Sequence, residues 1–127
     1  MAKAQDPSKY LPLSETTFYT MVCLVQPLHG YAIMQKVKEI SRGTVQIGAG
    51  TLYTIFSTLE KEALIKMVSE ADRRKTYTLT PKGEQVLLLQ IHRLQIMSDN
   101  GRNAAMLLTH GPYTLRTGGY RETENNP

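Results

Sequence analysis

Apolar residues recur at helical spacing three times in the first two-thirds of the chain, and then the period changes. Ser14 can cap a helix, Glu15 places a negative charge in its first turn, and Leu13 and Phe18 have the spacing of a hydrophobic staple. Phe18, Met21, Val22 and Val25 follow at i, i+3, i+4 and i+7, and Pro27 ends the run, which predicts a first helix over 14–25. After Gly30, Ile33, Val37 and Ile40 form one stripe with Lys36, Lys38 and Glu39 off it. Gly43 is a stop signal, so a second helix is predicted over 31–41. The short β-prone link Thr44-Val45-Gln46-Ile47 is expected to form a small strand. The third helix has the cleanest stripe of all, Leu52, Ile55, Phe56, Leu59 and Ala63.

Beyond it the period drops to two. Residues 64–69 and 75–79 are strand candidates, with Tyr77 and Leu79 on one face and Thr76 and Thr78 on the other. The polar stretch 70–74 between them predicts a hairpin with a five-residue loop. Thr80-Pro81 opens a last helix, with threonine as cap and proline at the first helical position. Its stripe is Leu87, Ile91 and Leu94, widened by Val86, Leu89 and Met97, which is more apolar surface than one small domain beneath it needs. Asp99-Asn100-Gly101 is a point where this helix is expected to kink or end, because glycine costs about 1 kcal/mol relative to alanine there. If the helix continues, Ala105 and Leu108 extend the stripe. Residues 1–12 read as a mobile arm and 109–127 as a disordered tail.

The totals narrow the class. A chain of 127 residues, 41% hydrophobic and 20% charged, has room for one core. The formal charge of +4 leans toward an acidic partner. One cysteine, Cys23, excludes an intrachain disulfide, fits a reducing compartment and is expected to be a small buried side chain. There is no basic-then-apolar leader and no window of 18 apolar residues, so a soluble cytoplasmic protein without a membrane partner is expected. His29, His92 and His110 are scattered and give no metal-ligand spacing. No nucleophile elbow, phosphate loop or paired carboxylates appear, so neither catalysis nor a cofactor is expected.

Three helices followed by a hairpin is the order of a winged helix-turn-helix, mainly α with a small β wing, here over 13–80. The helix over 81–108 is then expected to dimerise through Leu87, Ile91, Leu94 and Met97. The buried stripe of the third helix turns Thr54, Ser57 and Lys61 outward and puts Tyr53 on the flank. That face is short, hydroxylated and uncharged until Lys61, as a helix entering a DNA groove requires. Thr51, Tyr53, Thr54, Ser57 and Lys61 are therefore candidate DNA contacts. Arg73, Arg74 and Lys75 at the wing are candidates for the phosphate backbone. Tyr31 serves equally as a phosphate contact or as a lock on the second helix. For the threonines the alternative is helix capping, and for Tyr53 it is packing on the wing. The competing function class is a winged-helix adaptor that binds protein rather than DNA. Its mark is an acidic or apolar outward face on the third helix, and this sequence has neither.

The segments Leu13-Ser14-Glu15, Phe18-Tyr19, His29-Gly30-Tyr31, Gly50-Thr51-Leu52-Tyr53, Leu59-Glu60 and Leu64-Ile65, then Arg74 through Gly83, together resemble the PadR family of transcriptional regulators over residues 11–98. The resemblance implies a homodimer joined by the last helix, binding an inverted repeat in double-stranded DNA, usually as a repressor, and open to release by a small hydrophobic or phenolic effector. Thr54 stands where the family often has proline, and Ala71-Asp72 where it often has Gly-Arg. Short relatives that bind flat drugs use a tryptophan at the dimer centre; this chain contains none.

Overall fold

The computed structural model describes residues 6–110. Residues up to Ile91 form one compact unit and residues from His92 a second. In the first unit, α1 (Glu15–Cys23), β1 (Leu28–His29), α2 (Gly30–Ile40), α3 (Ala49–Lys61), β2 (Ile65–Ala71) and β3 (Arg74–Leu79) precede α4, which runs from Pro81 to His110. The helix-and-hairpin order expected from the sequence is present.

Local chemistry explains the boundaries. The Ser14 hydroxyl accepts the Thr17 N–H and caps α1. α1 closes at Cys23, four residues ahead of Pro27, so Val25 lies outside the helix and is exposed rather than part of its stripe. Ile33 and Val37 bury the inner side of α2, but Ile40, expected with them, is exposed. In α3, Leu52, Ile55 and Leu59 are buried and Phe56 packs against the core. Ala63 is not the end of that stripe. It is exposed and adopts φ 59° in the turn after the helix, where it lets the chain reverse into β2. An L-residue there is strained by about 1–2 kcal/mol, offset in part by the backbone freedom a glycine would lose on folding. Ala63→Gly is thus expected to raise the denaturant midpoint, by the equivalent of about 0.5–1 kcal/mol.

The sheet has three strands in the order β1-β3-β2, all antiparallel. Its third strand is not the link 44–47 but Leu28–His29, which pairs with Tyr77 and Thr76 of β3. The link stays extended without pairing to a strand because the Ser41 hydroxyl engages both Val45 backbone groups, at 3.1 Å each, while Val45 and Ile47 anchor it in the core. The wing has a two-residue turn, Asp72-Arg73, in place of the five-residue loop, with Ala71 paired to Arg74. Both turn residues have positive φ, 52° and 65°, the backbone whose twist matches paired strands. Met67 pairs with Tyr77 and Ser69 with Thr76, so Val68 is an extra residue that bulges β2.

The core gathers residues from every helix of this unit, including Met21, Leu24, Ile33, Val37, Leu64, Ile65 and Val86. Cys23 lies in it as a free thiol, and burial pushes its pKa up. The part of the N-terminal arm within the described residues is ordered onto this core. Pro7–Tyr10 form a 3-10 turn, the Tyr10 hydroxyl donates to Glu62 at 2.9 Å, and Leu11 and Leu13 pack against the core. The Leu13 N–H donates to the buried Gln90 carboxamide at 2.7 Å, satisfying a polar side chain that would otherwise be costly to bury.

At the start of α4 the Thr80 hydroxyl accepts the Gly83 N–H at 3.0 Å and donates to the Ala63 carbonyl at 2.6 Å, so one side chain caps the helix and ties it to the turn after α3. The helix passes through Asn100-Gly101 without ending, with the Asn100 amide donating to the Ile96 carbonyl. Leu87, expected at a dimer seam, is 5% exposed and belongs to this chain's own core, and Ile91 packs against that core. Leu94 and Met97 are exposed, as are Ile96, Met106, Leu107 and Leu108 further along. Thr109 and His110 still belong to the helix, and the rest of the tail expected from 109 lies outside the described residues. None of the described helices is long and apolar enough to cross a membrane.

Candidate nucleic-acid interface

α3 starts without a side chain over its N-terminus. Gly48 is the N-cap and makes no side-chain cap bond, and neither Gly48 nor Gly50 has any atom near the position a Cβ would take. The first turn thus presents backbone N–H groups and the positive end of the helix dipole to a partner that can approach closely. At about 100° per residue, the buried Leu52, Ile55 and Leu59 fix the opposite side as Thr54, Ser57 and Lys61, and these three are exposed, as is Thr51 in the first turn. Thr51 is not a cap residue, because the cap is Gly48. The Thr54 hydroxyl donates back to the Gly50 carbonyl at 3.2 Å, which holds its rotamer and leaves its lone pairs outward.

Tyr53 is 74% exposed, so packing on the wing does not account for it. It lines a groove of about 510 Å³ between the start of α2, α3 and the wing. The same groove holds Tyr31, Ser57, Arg73, Arg74 and Lys75, so six of the nine expected contacts meet in one place. Thr51, Thr54 and Lys61 do not line it; they stand on the adjoining outer face of α3. Tyr31 is also exposed, which removes the reading of it as an internal lock on α2.

Two groove residues carried no sequence signal strong enough to single them out. His29 caps α2 through Nδ1, which accepts the Ala32 N–H at 3.5 Å, and its ring also forms part of the groove wall. Glu60 lies seven residues after Tyr53 and so on the same flank, and it sets one carboxylate against the three wing cations. The floor is Phe56 against Tyr77, with ring centroids 4.7 Å apart and planes at 43°. Burial holds the Tyr77 phenol above its ordinary pKa, the Glu60 and Glu70 carboxylates add to the effect, and Lys75 opposes it. Among the described residues the ion pair is Arg102 with Asp99, so Arg73, Arg74 and Lys75 are not engaged by a carboxylate within salt-bridge distance.

An aromatic-lined cleft beside a small-residue helix face, rimmed by unpaired cations, suits a polyanion with readable edges. Residues 14–88 match the family of PadR-like transcriptional regulators. The chain belongs to the PadR-like family. Its members are regulators of transcription. A PadR-like transcription factor from Bacteroides fragilis is 26% identical, with a TM-score of 0.59 over 70% of this chain and 88% of its own. A PadR-like regulator from Bacillus cereus, 20% identical, gives 0.61 over 71% and 90%, and RosR of H. salinarum, 18% identical, gives 0.57 over 77% and 99%. The latter two bear on the fold alone. Two curated relatives are uncharacterized proteins. One, of 37.1 kDa from a transposon in Streptomyces fradiae, is 33% identical over 72 residues, and protein X of Lysinibacillus sphaericus is 35% identical over 63. The aligned part of this PadR-like chain spans 20% and 58% of their lengths.

Proposed function

We propose that this PadR-family chain is a sequence-specific DNA-binding repressor that acts as a homodimer on an inverted-repeat operator. The observation that carries the reading is the single groove in which Tyr31, Tyr53 and Ser57 meet Arg73, Arg74 and Lys75. α3 enters the major groove, Tyr53 leans from its flank toward base edges, and Thr51, Thr54, Ser57 and Lys61 cover the adjoining bases and phosphates. The wing cations follow the sugar-phosphate backbone. The exposed apolar residues of α4 from Leu94 onward supply the seam between two copies, and a small hydrophobic or phenolic molecule captured near that seam is the class of effector that would release the operator.

Selection of genomic fragments by the purified protein tests the reading, since it yields the site and its neighbouring genes together. A titration that shows no salt-sensitive specific complex with any selected fragment overturns it. On the selected site, Tyr53→Ala is expected to weaken binding by about 1–3 kcal/mol and to relax sequence preference. Arg74→Ala should weaken binding to selected and scrambled duplexes alike, because a phosphate contact reads no bases.

A further inference from the structure

The groove between the start of α2, α3 and the wing contains two features that a DNA backbone does not use. The first is its aromatic surface. Phe56 and Tyr77 form the floor, and Tyr31 and Tyr53 line the same space with most of their surface open, 64% and 74% exposed. In a duplex the bases are stacked on one another and their faces are covered. A free nucleotide offers its base to such rings.

The second feature is Glu60. It is exposed, it lines the groove, and among the described residues no cation lies within ion-pair distance of it. Toward a phosphate its charge only repels. Toward a ribose it is an acceptor for the sugar hydroxyls, the part that acidic side chains play in dinucleotide sites. Three cations facing one carboxylate still leave the groove positive, which favours a ligand with linked phosphates over an uncharged nucleoside. The size agrees, since 510 Å³ lies within the roughly 300–1,000 Å³ of small-molecule pockets.

We infer that this groove is also a site for a free ribonucleoside diphosphate. Its base lies against the tyrosine and phenylalanine rings, its phosphates on Arg73, Arg74 and Lys75, and its ribose hydroxyls on Glu60. Binding of the nucleotide stands apart from the DNA-binding reading. Its consequence rests on that reading: the tyrosines and the wing cations serve both ligands, so a protomer that holds the nucleotide cannot hold the operator. The nucleotide keeps a free protomer off DNA by filling its groove and leaves the shape of the winged domain alone.

Isothermal titration calorimetry of the full-length protein with ADP, 2′-deoxy-ADP, adenosine and inorganic pyrophosphate, at matched ionic strength, tests the site. ADP should bind once per chain. Adenosine and pyrophosphate should each bind at least about tenfold more weakly, since each lacks half of the contacts. The 2′-deoxy compound should lose about tenfold, the value of a hydrogen bond to a charged acceptor. Glu60→Ala should close the gap between ADP and 2′-deoxy-ADP while melting as the wild type does. ADP should also displace the selected duplex, read by fluorescence anisotropy. Pyrophosphate that binds as tightly as ADP overturns the inference, because the groove then recognises phosphates alone. A Glu60→Ala protein that keeps the ribose preference overturns it as well, as does a duplex complex that survives saturating ADP. Protein that binds ADP with the expected preferences and forms no duplex complex keeps the nucleotide site and removes the DNA-binding reading.

Discussion

Gly83→Ala is expected to unfold the winged domain at temperatures where the wild type is intact. Gly83 is buried in the first turn of α4, and a Cβ built on it overlaps the Leu64 carbonyl oxygen, with the Leu64 carbonyl carbon at 3.0 Å and Cα at 3.3 Å. The obstacle is backbone and cannot swing aside. That backbone is pinned as well, since the Leu64 carbonyl accepts the Thr80 N–H at 3.0 Å and Thr80 caps the helix that carries Gly83. Relief therefore requires moving α4 away from β2, opening the core around Val86 and Leu87. The cost should be about 3 kcal/mol or more, a drop in melting temperature of about 12–24 °C for a domain of this size. Gly101 is the internal control. A Cβ there meets nothing within 4 Å, so Gly101→Ala should stabilise α4 by about 1 kcal/mol through helix propensity alone. Thermal melts of the two variants read both effects, and a Gly83→Ala protein that melts with the wild type contradicts the packing described.

The second large effect is on assembly. Leu94→Asp with Met97→Asp places two carboxylates on the exposed apolar face of α4, 36% and 64% exposed at those positions. Neither side chain belongs to the core of the winged domain, so helix content and domain melting should be preserved. In a seam between two copies, unpaired carboxylates cost several kcal/mol each. Light scattering should move from twice 14.3 kDa to a single 14.3 kDa chain. Affinity for an inverted repeat should fall at least about 100-fold, because the second half-site is no longer bound through a linked partner. A double variant that remains dimeric places the seam elsewhere.

The parts of this fold that were legible in the sequence are those fixed by side chains close along the chain. Ser14 and Thr80 announced their caps, and Leu52, Ile55 and Leu59 told which side of α3 is inside. That last inference was enough to predict the outward placement of Thr54, Ser57 and Lys61. What was not legible depends on partners far apart or on backbone geometry without a residue signature. β1 is two residues long and exists because β3 offers an edge to it. Ala63, Asp72 and Arg73 occupy left-handed backbone without being glycine, so both the end of α3 and the tightness of the wing were misjudged. The stripe of α4 shows that Leu87 and Ile91 are apolar. It cannot show whether their neighbours come from the same chain or another, and the same-chain core claims them.

The contact of Phe56 with Tyr77 has a mechanical meaning. Phe56 belongs to α3 and Tyr77 to the strand that carries the wing, while Leu79 and Thr78 of that strand donate to the Leu24 carbonyl at 3.0 and 3.1 Å. The helix proposed to read bases and the hairpin proposed to grip the backbone are therefore fastened into one stiff head, anchored to the end of α1. A head built this way does not loosen its hold by degrees. In the proposed dimer, a signal that releases the two heads from DNA would act on the spacing between them, as calipers lose their grip when the hinge shifts and the jaws keep their shape.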